Sequence, residues 1–121
     1  MDQEPPNKTF DLEERTYEFA RDVRLFVKRL PRTVANVEDV RQLICSSGSV
    51  GANYIEANEC LGKKDFVMRL RISRKEAKES RYWLRLLDAG DDSTVEQQRG
   101  KLMQEATELL KILSAIINKS T

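Results

Sequence analysis

The sequence predicts an all-α protein folded as an antiparallel, up-down-up-down four-helix bundle. Three observations carry that expectation. Apolar residues recur at gaps of three and four along four segments, the period of a helix buried on one side. No stretch alternates apolar and polar residues for long enough to make a half-buried strand. The connections between the segments are short, which favours antiparallel neighbours. The chain has 121 residues, 40% hydrophobic and 34% charged, which suits one folded domain with a heavily charged surface. A domain of this size can bury a core without help from metal or disulfide.

Residues 1–10 are polar and include Pro5 and Pro6, so a flexible leader is expected there, with the bundle occupying 11–121. The first helix is expected over about 12–29. Its face is Leu12, Phe19, Val23, Phe26 and Leu30, and Leu30-Pro31 ends it because a residue preceding proline is pushed away from helical geometry. The second is expected over about 35–60, with Val37, Val40, Ile44, Ser47, Gly51, Tyr54 and Asn58 as its face. Its centre is the small-residue run SSGSVGAN, 46–53. Gly48 and Gly51 each cost the helix about 1 kcal/mol relative to alanine, a cost that close approach by a neighbouring helix would offset.

Gly62 reads as a C-terminal stop for the second helix. The third is expected over about 63–88, where Phe66, Leu70, Ser73, Ala77, Ser80, Leu84 and Leu87 form an unbroken series. Ala89 to Ser93 reads as a turn. Ser93 or Thr94 then caps a fourth helix over about 94–118, with Glu96 placed three residues after Ser93 as in a capping box. The fourth face is Leu102, Ala106, Leu109, Leu113 and Ile116, widened by Leu110 and Ile117.

Composition argues against most chemistry. The chain has no histidine, which removes the Glu-x-x-His ligands of a di-iron bundle and the commonest general base. No metal, cofactor or catalytic residue is expected. The run SSGSVGAN lacks the lysine-containing phosphate-loop pattern and follows no strand, so it reads as a packing face. Cys45 and Cys60 fall on one predicted helix about 22 Å apart, beyond disulfide reach, and read as small packing residues in a reducing compartment. The N-terminal ten residues carry no apolar signal core, and no apolar run is long enough to span a bilayer. A cytoplasmic protein without membrane contact is expected.

Charge is balanced overall, with 21 Lys and Arg against 20 Asp and Glu, so a nucleic-acid surface would have to be local. The third helix supplies a local excess: nine Lys and Arg against four Asp and Glu between Lys63 and Asp88. Arg71, Arg74, Lys78, Arg81 and Arg85 recur at gaps of 3, 4, 3 and 4, with Lys64 extending the row. Each of those five follows a core position, which puts the stripe about 100° round the helix from the core. Two readings stand. The stripe lines phosphates, for which arginine is well suited, or it is a solvated flank paired with acids of a neighbouring helix or subunit. The opposite flank, with Ile72, Glu76, Glu79, Trp83 and Leu86, mixes apolar groups and carboxylates. It reads as a subunit interface, in which tryptophan is a favoured anchor, or as a core widened at one end.

Three segments carry a resemblance: LEERTYEFARDVRLFVKRLP at 12–31, SSGSVGANYIEANE at 46–59, and KKDFVMRLRISRKEAKESRYWLRLL at 63–87. In order and spacing the chain resembles a bacterial four-helix-bundle family related to proteins encoded in intervening sequences of large-subunit ribosomal RNA genes. The resemblance implies a homo-oligomer, a pentameric ring, with no enzymatic activity. It also implies nucleic-acid partners, RNA or DNA, and a reverse-transcriptase-like protein partner, since a similar bundle is an accessory of diversity-generating retroelements. It places Glu56, Phe66, Glu76, Glu79, Trp83 and Leu84 at signature positions, with Phe66 and Leu84 in the core and the glutamates and Trp83 in packing or assembly. The sequence therefore supports two functions: a non-enzymatic bundle binding nucleic acid, or an interaction scaffold with no nucleic-acid role.

Overall fold

A computed structural model of the chain describes residues 12–121, and the expected leader lies outside the described residues. Four helices follow in order: α1 (Leu12–Val27), α2 (Val34–Glu59), α3 (Lys63–Leu86) and α4 (Ser93–Ser120). Each packs on its neighbour in the chain, and α1 meets α4 to close the bundle. The α1–α4 seam is the loosest, and α2–α3 the most extensive. No strand occurs among the described residues. The architecture is the four-helix bundle that the apolar rhythm predicts.

The core is drawn from all four helices. Phe19, Val23 and Phe26 of α1 meet Leu43 and Val50 of α2, Leu70, Ala77 and Leu84 of α3, and Leu109 and Leu113 of α4 in one buried cluster. Phe66 is only half-buried against this cluster, and the residue inside is Val67. On α2 the expected face is displaced by one residue. Asn36, Leu43, Ser46, Ser47, Val50, Gly51 and Ala57 are buried, whereas Val37 is exposed, Val40, Ile44 and Tyr54 are half-buried, and Asn58 is exposed. The cause is a helix wedged between two partners. Leu43, Val50 and the small residues turn toward α1 and α3, and Val37, Val40 and Ile44 are left on the rim.

The small-residue run serves two seams. On the α1 side, a Cβ placed on Gly51 would lie 2.8 Å from Thr16 Oγ1 and 3.2 Å from Thr16 Cβ, so only glycine permits this approach. Thr16 is itself fixed, its hydroxyl donating to Leu12 O at 2.7 Å and to Glu13 O at 3.1 Å. Gly48 faces nothing closer than the tip of Arg24, at 3.4 Å. On the α3 side, Ser73 Oγ donates to Val50 O at 2.7 Å, and Ser80 Oγ donates to Ser46 Oγ at 2.9 Å. These buried hydroxyls bind α2 to α3 in a fixed register.

The helix ends differ from expectation in instructive ways. α1 stops at Val27, before Arg29, because Arg29 N and Leu30 N turn to the carbonyls three residues back. Thr33 caps α2, its side chain accepting from Asn36 N. Gly62 is not a left-handed stop: its φ is −110°, and it is the N-cap of α3. α3 ends at Leu86, short of Asp88. Asp92, rather than Ser93 or Thr94, caps α4 by accepting from Thr94 N and Thr94 Oγ1. Those bonds hold its carboxyl below the usual carboxylate range. Glu96 forms no capping box and instead pairs with Arg99 at 2.8 Å. Arg99 reaches back to the carbonyls of Leu84, Arg85 and Leu87, filling acceptors left open at the end of α3. Neither cysteine packs in the core: Cys45 is exposed and Cys60 half-buried, both as free thiols.

Asn36 joins the two connections at one end of the bundle. It is buried, and its Nδ2 donates to Pro31 O at 2.9 Å and to Asp88 O at 2.8 Å. Its Oδ1 accepts from Asp88 N at 3.0 Å. The Asn36→Ala variant strands these groups and is expected to lose about 3 kcal/mol of stability in urea denaturation. A loss below about 0.5 kcal/mol would show that water replaces the clamp.

Candidate nucleic-acid interface

The α3 core series fixes where its charges point. Leu70, Ser73, Ala77, Ser80 and Leu84 are buried, so Arg71, Arg74, Lys78, Arg81 and Arg85 are brought onto the flank nearest α4. Arg71, Lys78 and Arg85 are exposed, as is Lys64 near the start of the helix. Arg74 and Arg81 are half-buried and lean on α4. Arg74 Nη1 donates to Ser114 Oγ at 3.3 Å, and Arg81 Nη1 donates to Thr107 Oγ1 at 3.0 Å. From Arg71 to Arg85 the row runs about 21 Å along the helix.

No carboxylate pairs with this row among the described residues. The ion pairs found there are Arg15–Glu105, Arg21–Asp22 and Arg99–Glu96. The reason lies in the α4 sequence. Its α3-facing flank offers the hydroxyls of Thr107 and Ser114, while Glu105 turns to α1 and pairs with Arg15 at 2.6 Å. Glu108 lies on the same side and helps hold the Arg15 guanidinium charged. Within the bundle, the reading in which a neighbouring helix neutralises the stripe is therefore not what the described residues do.

The opposite flank of α3 behaves differently. Ile72, Glu76 and Trp83 are half-buried, and Glu79 and Leu86 are exposed. Trp83 packs against the core, and Leu86 stands 49% exposed at the end of the row. Burial, with a smaller contribution from Glu79, raises the Glu76 carboxyl above its ordinary value. A group raised on folding binds its proton more tightly in the native state, so its stability contribution falls as pH rises through the raised value. Glu76→Gln is thus expected to stabilise the protein slightly at neutral pH and to be neutral in acid, read as thermal midpoints at both. A midpoint lowered at neutral pH would contradict this. Glu56, on α2, is exposed.

Elsewhere the surface offers less. A groove of about 1110 Å³ lies between α1 and α4, with Glu14, Glu18, Asp22 and Lys101 among its lining residues. Charges of both signs line it, and it lies on the other flank of α4 from the stripe. Among the described residues, no group of three His, Cys, Asp or Glu side chains is placed to hold a metal, and no helix is long and apolar enough to cross a membrane. Asn36, Thr16, Arg99 and the Arg15–Glu105 pair were not foreseen from sequence. Thr16 alone had a signal, sitting at the core position between Leu12 and Phe19 where the apolar rhythm skips a beat.

Among solved structures, the fold is similar to a crystal structure of a protein of unknown function from the S23 ribosomal protein family of Bacteroides thetaiotaomicron VPI-5482. The two are 30% identical with a TM-score of 0.73, over 93% of this chain and 99% of that one. No curated protein matches the sequence. The model of the 23S rRNA-intervening sequence proteins matches residues 8–115, nearly the whole chain, and the protein belongs to that family.

Proposed function

We propose that the protein is a non-enzymatic, self-associating bundle that binds the phosphate backbone of nucleic acid through Lys64, Arg71, Arg74, Lys78, Arg81 and Arg85. The observation that carries this reading is the unpaired row on α3, with two of its arginines held in place by neutral hydroxyls. A cation already neutralised by a carboxylate gains little from a phosphate, whereas an unpaired one gains fully by releasing the counterions condensed on the nucleic acid. Self-association uses the other flank, Ile72, Glu76, Glu79, Trp83 and Leu86, so that assembly leaves the stripe open. The family resemblance implies five subunits.

In a gel-shift series, binding is expected at low salt and is expected to fall steeply as salt is raised. Binding that ignores salt, or no binding at low salt, would overturn the reading. Light scattering tests the assembly, for which a solution mass equal to the 14.0 kDa chain would be the contrary result. The alternative, a scaffold with no nucleic-acid role, requires carboxylates of another subunit or partner to cover the stripe. A structure of the assembly with Arg74 and Arg81 buried against acids would favour it.

A further inference from the structure

Tyr82 stands on the outer edge of the basic row. It is four residues past Lys78 and three before Arg85, spacings that put its ring between their side chains on the helix surface. The residue is 54% exposed. Its ring meets Trp83 edge-to-face, with centroids 5.1 Å apart and planes at 73°. A single edge-to-face neighbour covers at most one face of a ring, and the 54% exposure of Tyr82 is consistent with the other being accessible. Trp83 is packed against the core, so it presets the direction in which the open face looks. Among the described residues Tyr17 is the other well-exposed aromatic, but it lies on α1 and its ring is covered by the Arg21 guanidinium, 5.9 Å from the centroid.

An open aromatic face between two unpaired cations is the arrangement that single strands use. Their phosphates follow the charges and an unstacked base lies on the ring, largely regardless of sequence. Paired bases are stacked on one another and offer no free face. A ring already oriented by its neighbour loses little freedom on binding. We infer that Tyr82 is a base-stacking platform, and that the α3 surface selects unpaired nucleotides of RNA or DNA over duplex. The inference rests on the nucleic-acid reading of the stripe and adds to it the strand state of the ligand.

The test measures fluorescence anisotropy of the full chain with three labelled probes of equal length: a single-stranded oligodeoxynucleotide, an abasic strand of the same backbone, and a duplex. Tyr82→Ala is expected to weaken single-strand binding about tenfold and to leave abasic-strand and duplex binding unchanged. Tyr82→Phe, which keeps the ring, is expected to bind as wild type. Trp83 is the one tryptophan in the chain, and its emission is expected to change with the intact strand but not with the abasic one. Two results would overturn the platform and leave the stripe standing: Tyr82→Ala binding the single strand as wild type, or wild type binding the abasic strand as tightly as the intact one. Wild type binding none of the three probes would overturn both.

Discussion

Replacing Arg74, Lys78 and Arg81 together by glutamine is expected to weaken nucleic-acid binding on the order of a hundredfold at moderate salt. Stability should stay within about 0.5 kcal/mol of wild type. The two effects separate because of where these side chains sit. Lys78 is exposed, and Arg74 and Arg81 touch α4 through hydrogen bonds to Ser114 and Thr107 that glutamine can in part replace. What glutamine removes is charge, and no internal carboxylate depends on that charge among the described residues. Lys101 lines the groove on the other flank of α4. Lys101→Gln is therefore expected to bind almost as wild type in the same gel-shift assay. Equal losses from the two changes would mean that overall charge, and not the α3 row, governs binding.

The second large effect concerns the seam between α1 and α2. Gly51→Leu is expected to destabilise the protein by about 3 kcal/mol, read as a lower urea midpoint. Even the first added carbon would fall 2.8 Å from Thr16 Oγ1, and that hydroxyl is held by two carbonyls. Gly100→Ala is the opposing case. It lies within α4 with nothing within 4 Å of the added carbon, so it is expected to stabilise by about 1 kcal/mol through helix propensity alone. Gly48→Ala is also expected to stabilise, by up to about 1 kcal/mol, since the flexible Arg24 tip at 3.4 Å can move aside. A Gly51→Leu protein as stable as wild type would mean that the α1–α2 seam can open without cost.

The four-helix architecture was legible because α1 and α4 follow a 3-4 rhythm in residues that are mostly apolar, and on α3 Leu70 and Leu84 anchor a rhythm that Ser73, Ala77 and Ser80 continue. Val23, Leu70 and Leu109 announce their positions by chemistry alone. On α2 that signal weakens. Glycines and serines in the run 46–53 carry little hydrophobic contrast, so Val37, Val40 and Ile44 dominate the apolar pattern and point to a face that the structure turns partly outward. Packing that depends on smallness is decided by the partner helix, here Thr16 on one side and Ser73 and Ser80 on the other. Helix ends were harder for a related reason. Asp92, Ser93 and Thr94 are all competent caps, and which one serves depends on the path of the chain out of α3.

The basic row on α3 was legible in full, because a core series fixes the angle of every other residue on the same helix. That the row goes unpaired was not legible. It depends on Glu105 facing α1 while Thr107 faces α3, a difference of two residues on another helix. The place of Tyr82 beside the row follows from the same angle, but its edge-to-face contact with Trp83 was not legible.

The most direct test is the slope of log binding constant against log salt for wild type and for the Arg74, Lys78, Arg81 triple glutamine variant. If each of these cations meets one phosphate, the wild-type slope is steeper by about 2.7 on duplex, or about 2.1 on a single strand. Equal slopes for the two proteins would contradict the claim that the α3 stripe is the nucleic-acid surface.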